Sequence, residues 1–436
     1  MEFESRNNAN HEDLDEVVPG RQLAPVDGGK DAWLFLAAGF IIEGLTWGFA
    51  FSYGVFQDYY STEDSFRKSG NIAAIGTYAD SICGCKGIAY LSAPLDFALL
   101  LGVPRFRRLA TPVGFSIMCL ALALSSFSTT TTHLILSQGV AYGLGAGLAY
   151  SPVILWMGEW FVKRRGLAFG TMWAGTGLSG VIFPVTIQWM LNEYGFRTTL
   201  RIWSVLLMLL IVPVIYFVKP RIPTSTNLAS TIRPFDLSFV WTKSFTIYQV
   251  CNTIEALGFF LPAVYLPSQA RSLGVTGPLA SLTVILFNLA SIAGCVVMGM
   301  LVDRYHATTC MLVSSIGTVL SVFLIWGFSI SIAPLYLFCI AYGLFAGCYT
   351  STWTAITRET QKHNERADIS MIFGILETGR GVGNIASGFL SEALIAHSMP
   401  TGPYAFGSTY GNIIIFTGVT ALFGGACALA RPLKLL

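Results

Sequence analysis

Four of the charged side chains that lie inside long apolar stretches of the sequence stand out as candidates. They are Glu43, Glu255, Glu377 and Arg380. On membrane-insertion scales, a charge at the centre of a spanning helix costs roughly 2.5–3.5 kcal/mol, so charges found there usually serve an ion, a solute or a proton. These four side chains are therefore the first candidates for a functional site.

Glu377 and Arg380 are three residues apart, which places them on one face of a helix. They could neutralise each other along that helix and serve only structure. Alternatively, Arg380 is a cavity cation that binds an anionic solute, while Glu377 or Glu255 takes up a proton. Polar and aromatic residues that could line the same cavity are Trp47, Tyr150, Asn252, Asn288, Tyr349 and Asn384.

The sequence lacks the patterns that would make such a cavity an enzyme active site. It contains no Gly-x4-Gly-Lys-Ser/Thr loop and no His-Glu-x-x-His motif, and its five histidines are isolated. We therefore predict no enzyme, no catalytic residues, no metal site and no cofactor. The basic residues form no dense patch, which argues against nucleic-acid binding, and no obligate protein partner is indicated.

A helical membrane scaffold must position these residues. Hydrophobic residues make up 53% of the 436 residues and charged residues only 11%, whereas soluble domains have about 25% charged residues. A spanning helix needs about 20 apolar residues. Twelve runs qualify: 32–57, 72–101, 108–128, 131–157, 166–191, 200–219, 244–266, 279–302, 308–329, 332–355, 367–395 and 410–430. We predict an all-α membrane protein with twelve transmembrane helices.

The second run is unusually long. Residues 80–86 (DSICGCK) add roughly six or seven residues to what a single span requires. Either this helix is interrupted and partly re-entrant, or the segment is a spurious addition to the predicted gene product.

The runs divide into two sets of six around a polar stretch. We predict a disordered cytoplasmic tail at 1–31, an N-terminal half at 32–219, a cytoplasmic linker at 220–243 and a C-terminal half at 244–436. With the N-terminus inside, inner segments hold 19 Lys and Arg residues and outer segments hold 5. This bias places both termini in the cytoplasm. We assign the plasma membrane, with the vacuolar membrane as the alternative.

An internal repeat relates the two halves. Residues 141–151 (AYGLGAGLAYS) and 341–351 (AYGLFAGCYTS) agree at seven of eleven positions. Small residues favour close helix packing on their own, but the next helix repeats in the same frame. Its members are Phe169, Gly170, Gly175 and Gly177, which recur as Phe373, Gly374, Gly379 and Gly381. Two six-helix pseudo-repeats are the architecture of transporters that rock around a central site.

Residues 299–304 (GMLVDR) end helix 8 at its predicted cytoplasmic end. Asp303 and Arg304 would lie there beside a neighbouring helix end and basic loop residues, namely Lys163, Arg164 and Arg165. This arrangement is either an ordinary interfacial ion pair or a latch that closes the cytoplasmic side in one conformation only. The Gly-x-Leu-x-Asp-Arg pattern resembles the loop of the major facilitator superfamily, which favours the latch.

Residues 160–175 (WFVKRRGLAFGTMWAG) resemble the helix 4–5 signature of the monocarboxylate porter family within that superfamily. Residues 27–29 (DGG) followed by Trp33 resemble its second signature, with the spacing of the fungal branch. The resemblance spans nearly the whole chain. It implies the major facilitator fold and the transport of small organic acids, riboflavin-like nutrients or fungal secondary metabolites, often with protons.

One departure from the resemblance narrows the expected function. Animal monocarboxylate carriers have a lysine in helix 1 and an Asp/Arg pair in helix 8, whereas the matching residues here are Phe51, Asn288 and Ile292. We therefore expect a secondary active transporter that works by alternating access, is coupled to protons, and exports an organic secondary metabolite that could be anionic. Uptake of a monocarboxylate or riboflavin-like nutrient is the alternative, and a solute receptor that does not transport is the third interpretation.

Overall fold

A computed structural model of the protein describes residues 23–62, 72–222, 236–275, 278–398, 402 and 404–431. Residues 1–22 of the predicted disordered tail lie outside the described residues. So do residues 223–235 of the predicted linker. Both predictions therefore stay untested at these positions.

The N-terminal half contains six helices. The first four are α1 (Gly29–Thr62), α2 (Ile72–Gly102), α3 (Arg107–Ser125) and α4 (Thr131–Trp160). The next helical stretch, Arg165–Ile215, bends at Gly195, whose φ of 70° is one that side chains other than glycine rarely adopt. The stretch is therefore two helices, α5 (165–194) and α6 (196–215).

The C-terminal half also contains six helices: α7 (Lys243–Ser272), α8 (Pro278–Val302), α9 (Ala307–Trp326), α10 (Ile332–His363), α11 (Ile369–Ala396) and α12 (Gly411–Ala430). Helix α7 is broken at Phe260, just before Pro262, which cannot donate a backbone hydrogen bond. Helix α10 is broken before Tyr349. Both breaks lie beside the cavity described below.

Ten helical stretches of the described residues are long and apolar enough to cross a membrane. One of these stretches, Arg165–Ile215, contains both α5 and α6. Helix α11 carries three charged residues and is not among the ten. Together they make the twelve helices that the sequence predicts. The fold class is confirmed: the protein is an all-α, multi-pass integral membrane protein.

Helix α2 is continuous through residues 80–86. The interrupted, re-entrant helix predicted as one alternative for this segment is therefore not observed.

The N-terminal segment packs against the ends of α4 and α6. The Asp27 N–H donates to the Trp160 carbonyl oxygen at 2.9 Å, and the Arg221 Nε–H donates to the Ala24 carbonyl oxygen at 2.8 Å. Residues 23–31 are thus ordered, and the prediction that the whole of 1–31 is disordered is corrected for this part. We call this end of the bundle, where α1 begins, the termini side.

The two halves meet along two helix pairs, α2 with α11 and α5 with α8. The main apolar core runs through both halves. Large apolar side chains such as Leu209 and Leu324 remain more than 60% exposed on the outer surface, where lipid would cover them. The interior between the halves contains both polar and aromatic side chains.

Candidate functional site

A cavity lies between the halves and is lined by α1, α2, α4 and α5 on one side and by α7, α8, α10 and α11 on the other. Its free volume is about 70 Å³, which holds only a few water molecules. An organic solute needs several hundred Å³. The halves must therefore part before such a solute can enter.

Six of the ten predicted site residues line this cavity: Glu43, Trp47, Tyr150, Asn288, Glu377 and Arg380. They lie on four different helices (α1, α4, α8 and α11), so the fold brings together residues that are up to 337 positions apart in the sequence. The other four do not line the cavity in this conformation: Asn252, Glu255, Tyr349 and Asn384.

Two of these four residues tie helices together. The Asn252 side chain donates to the Leu376 carbonyl oxygen at 2.8 Å and accepts from the Trp353 indole N–H at 3.0 Å, which joins α7 to α10 and α11. The Tyr349 hydroxyl donates to the Gly424 carbonyl oxygen of α12 at 3.0 Å. Asn384 is buried in α11. Asn252 and Tyr349 therefore pair with buried hydrogen-bonding groups of neighbouring helices. The sequence alone does not distinguish this structural role from solute binding.

Glu255 forms an ion pair with Arg380. The Arg380 Nη1 donates to Glu255 Oε2 at 2.9 Å, and both side chains are buried. The guanidinium carbon also lies 4.3 Å from the ring centre of Phe259 and 5.3 Å from that of Phe260. Arg380 is therefore neutralised from α7, and the predicted pairing with Glu377 along α11 is not formed.

Glu377 instead bonds across the two halves. The Tyr150 hydroxyl of α4 donates a hydrogen bond to Glu377 Oε2 of α11. Both side chains line the cavity. Within the described residues Glu377 has no cationic partner at ion-pair distance. This carboxylate is thus placed at the interface that alternating access must open and close.

Glu43 is the third carboxylate near the centre. It is 3% exposed, and its Oε1 accepts from the Thr176 hydroxyl at 3.3 Å. Its Oε2 accepts no hydrogen bond from any described residue. The Trp47 indole, one helical turn further on, is a neighbouring hydrogen-bond donor that favours the charged form of the carboxylate, although it forms no hydrogen bond of normal geometry with Oε2.

The remaining wall is mostly aromatic. Trp47 stacks on Tyr90 with ring centres 4.6 Å apart, and Tyr150 meets Trp47 edge-on at 5.7 Å. Lys86 of α2 holds its ammonium 3.6 Å from the ring centre of Phe51. Tyr90 also lines the cavity and was not predicted, because aromatic residues are common in apolar helices and nothing in their spacing marks the few that face the cavity.

An aromatic layer closes the cavity on the termini side. Phe169 and Phe373, which the sequence repeat pairs with each other, stack across the two halves with centres 4.8 Å apart and planes 19° apart. Trp173 and Trp353 meet edge-on beside them at 5.9 Å. We call these four residues the aromatic layer. The cavity therefore has no wide path to the termini side in this conformation.

Asp303 reinforces this closure. Its two carboxylate oxygens accept from the Gly166 N–H at 2.6 Å and from the Leu167 N–H at 3.0 Å, at the N-terminus of α5 in the other half. The positive end of a helix dipole attracts a carboxylate. Burial raises the pKa of the Asp303 carboxyl above its ordinary value, although both N–H groups oppose that rise. These contacts join α8 of one half to α5 of the other, and the role of Asp303 as a latch stays a prediction.

The basic residues of the predicted latch play smaller parts. Lys163, Arg164 and Arg304 are exposed, while Arg165 lies in the electrostatic field of both Asp27 and Asp303. Their gating role stays a prediction.

Asp27 explains why the two sequence signatures occur together. Its carboxylate accepts from the N–H groups of Val162, Lys163 and Arg164, each at 3.0 Å. Trp33 packs edge-on against Phe161 at 5.8 Å. Asp27 and Trp33 therefore hold the loop of the helix 4–5 signature in place, next to Gly166 and Leu167, which bind Asp303.

The glycines of α5 fall into two classes. A Cβ at Gly170 would meet the carbonyl oxygen of Cys295 on α8, in the other half. A Cβ at Gly175 would meet the carbonyl oxygen of Phe40 on α1, in the same half. Gly170 thus permits contact between the halves, and Gly175 permits packing within one half.

The repeat-related glycines of α11 divide in the same way. A Cβ at Gly374 would lie 3.2 Å from the Pro94 Cα on α2, in the other half. A Cβ at Gly379 would meet Gln249 and would lie 2.6 Å from Thr253 Oγ1, both on α7 in its own half. The repeated glycines therefore have the same packing roles in both halves: the first of each pair contacts the other half, and the second contacts its own half.

Comparison with known proteins agrees with this architecture. The family model of the Major Facilitator Superfamily matches residues 35–249 and again residues 249–434, one match for each half. The crystal structure of a double-Trp XylE mutant superposes with a TM-score of 0.68 at 12% identity, covering 92% of this chain and 94% of that chain. This likeness concerns the fold alone.

Several curated relatives are similar over nearly their full length. MFS transporter asaE of Aspergillus flavus is 26% identical over 92% of this chain and 87% of that protein. Agnestins efflux protein AgnL12 of Paecilomyces divaricatus is 26% identical over 96% and 92%. Monocarboxylate transporter 10 of Danio rerio is 23% identical over 94% and 80%. These names agree with the resemblance found in the sequence.

Proposed function

The chain belongs to the Major Facilitator Superfamily, and from that premise we propose that this transporter exports a small organic metabolite in exchange for protons by alternating access. Membership of the family makes it a transporter and not an enzyme. The direction of transport and the exchange for protons are our proposal. Fungal relatives named as efflux proteins for agnestins and aspyridones support the direction.

The hydrogen bond between Tyr150 and Glu377 carries the proposal of proton coupling. A carboxylate without a cation is strongly destabilised in a membrane interior, so it gains from a proton or from a donor. Here the donor belongs to the opposite half. The charge on Glu377 therefore contributes directly to holding the halves together.

A proton on Glu377 changes this balance. Hydrogen bonds to an ionised acceptor are roughly twice as strong as those between neutral groups, so protonation weakens the bridge to Tyr150. The halves then part on the termini side, where the proton leaves and the solute enters. The solute-bound cavity closes again, and the solute leaves on the opposite side, where Glu377 takes the next proton.

The ion pair of Arg380 with Glu255 bears on the charge of the solute. An anionic solute would have to replace the Glu255 carboxylate, which lies 2.9 Å from the guanidinium. Uptake of a monocarboxylate would use Arg380 in this way, and the likeness to monocarboxylate transporter 10 favours it as the second candidate function.

The excess of Lys and Arg on one side of the helices supports an orientation with the termini side in the cytoplasm. In that orientation, the structure would be closed to the cytoplasm. We propose the plasma membrane as the location, where export removes the metabolite from the cell.

Transport can be tested in proteoliposomes loaded with one of three radiolabelled solutes: benzoate (an anion), 4-hydroxybenzamide (neutral) or tyramine (a cation). Exit is measured into buffer at the luminal pH and into more acidic buffer, and the leak from empty liposomes is subtracted. We expect acidic buffer to accelerate exit of at least one solute in wild type, and Glu377→Gln to remove this acceleration. If wild-type protein transports a solute at the same rate into both buffers, proton coupling is ruled out. If it transports none of the three solutes, the proposed function is contradicted for organic anions, neutral compounds and cations of this kind.

A further inference from the structure

We infer that the cavity accepts a planar aromatic solute that carries a hydrogen-bond donor, and that Glu43 receives this donor. The inference rests on the proposed function, because the same cavity would carry the transported solute. It adds the chemical class of that solute and the side chain that selects it.

The first observation is an unsatisfied oxygen. Glu43 is 3% exposed and lines the cavity, yet its Oε2 has no hydrogen-bond partner among the described residues. Buried polar atoms are almost always paired, and those left over call for an explanation such as a missing ligand. The Thr176 hydroxyl already occupies Oε1, so Oε2 is the position open to a donor from the solute.

The second observation is the aromatic wall beside that oxygen. Trp47 lies one turn from Glu43 on α1 and stacks on Tyr90 at 4.6 Å. Phe260 and Phe287 line the cavity from the other half. Aromatic rings gain from offset-stacked and edge-on neighbours beyond the area that they bury. A flat ring that enters when the halves part would therefore meet ring faces and edges from both sides.

The third observation is the balance of charge. The guanidinium of Arg380 is paired with Glu255 and lies against the ring of Phe259. Glu43 and Glu377 have no cation at ion-pair distance within the described residues. Among the described residues, the cavity therefore offers one open acceptor, Glu43 Oε2, whereas its guanidinium is paired. This arrangement selects a donor and disfavours a carboxylate.

Four related compounds separate these features. The compound 2-naphthol has the ring and the donor; 2-methoxynaphthalene lacks the donor; trans-2-decalol keeps the donor on a saturated ring; 2-naphthoate is an anion. Binding is measured by equilibrium dialysis of wild-type protein in lipid nanodiscs, without a pH gradient, and partition into empty nanodiscs is subtracted.

We expect 2-naphthol to bind roughly tenfold more tightly than each of the other three compounds, which corresponds to one good hydrogen bond or one ring contact. Glu43→Leu should bring the ratio of 2-naphthol to 2-methoxynaphthalene close to one. Trp47→Leu should reduce the advantage over trans-2-decalol. Trp189→Leu is the matched control, because Trp189 is 55% exposed on the outer surface and does not line the cavity, and it should change neither ratio.

Tighter binding of 2-naphthoate than of 2-naphthol would overturn the inference. A donor preference that survives Glu43→Leu would do the same, as would the absence of saturable binding for all four compounds. If a variant fails to fold, the ratios in wild type decide, since they need no substitution. The binding measurement uses no pH gradient, so its result does not depend on whether transport is coupled to protons. The flux experiment, in turn, tests transport and proton coupling whether or not Glu43 accepts a hydrogen bond from the solute.

Discussion

Replacing Gly170 with alanine should shift the protein away from the conformation closed on the termini side. The added Cβ would meet the Cys295 carbonyl oxygen and would lie 3.1 Å from the Gly299 Cα, both on α8 of the opposite half. These are backbone atoms, so no side chain can rotate away to make room. The strain is relieved when the two halves part, which is the motion that transport requires.

The magnitude follows from the cost of overpacking. One extra methyl group against a rigid neighbour costs about 1–3 kcal/mol. Because only the closed conformation bears this cost, the ratio of closed to open molecules should fall by about 5- to 150-fold. Gly175→Ala is the matched control. Its Cβ would meet the Phe40 carbonyl oxygen within one half, so it should lower thermal stability and leave that ratio unchanged.

Spin labels at Arg108 and Glu365 report the ratio. Both residues are exposed on the termini side, one on each half. Pulsed electron resonance in nanodiscs should show mainly the shorter distance in wild type and in Gly175→Ala, and a large longer-distance population in Gly170→Ala. Equal distance distributions for the two glycine variants would refute the assignment of Gly170 to the moving interface.

Three other substitutions test separate contacts by thermal unfolding or by the same distance measurement. Glu255→Gln should destabilise the protein by about 3–5 kcal/mol, because it leaves Arg380 buried without its carboxylate, and adding Arg380→Gln should recover most of the loss. Asp27→Ala should cost about 2–3 kcal/mol because three N–H groups lose a charged acceptor. Asp31→Ala should cost under about 1 kcal/mol, because Asp31 forms only an exposed ion pair with Lys219 at 3.3 Å. Phe373→Ala should raise the longer-distance population by removing a stacked ring of the aromatic layer.

Each of these expectations has a contradicting result. A double variant no more stable than Glu255→Gln would show that the ion pair is not what Arg380 requires. Equal losses for Asp27→Ala and Asp31→Ala would place the loop contacts among ordinary surface interactions. An unchanged distance distribution for Phe373→Ala would mean that the aromatic layer does not contribute to closure.

The sequence predicted the features that depend on local pattern. Apolar runs, short charged loops and turn residues located the helices, and only the bend at Gly195 separates α5 from α6 in a stretch that is otherwise continuous. The repeat was visible because Gly170 and Gly374 must be small for the same reason, namely contact with the opposite half. The contact of Asp303 with a neighbouring helix end was predictable because the Gly-x-Leu-x-Asp-Arg pattern puts a carboxylate at the end of helix 8; its role as a latch stays a prediction.

The pairing of the charged residues was not predictable from spacing. Glu377 lies three residues from Arg380, yet the two do not pair. Arg380 forms an ion pair with Glu255 on α7. Glu377 accepts a hydrogen bond from Tyr150 in the other half. Sequence spacing gives neighbours along one helix, whereas the lowest-energy partner in a bundle depends on how the helices are rotated against each other. For the same reason, Asn252 and Tyr349 could not be separated from cavity residues.

The direct test of the central claim is whether solute and protons cross the membrane together in opposite directions. Proteoliposomes contain a luminal pH dye, and one of the three radiolabelled solutes is loaded inside, with no imposed pH gradient and with the membrane potential clamped. The leak of empty liposomes is subtracted. Exchange of solute for protons predicts that exit of a transported solute acidifies the lumen in wild type and that Glu377→Gln abolishes the acidification. Solute exit without any luminal acidification in wild type would rule out this exchange.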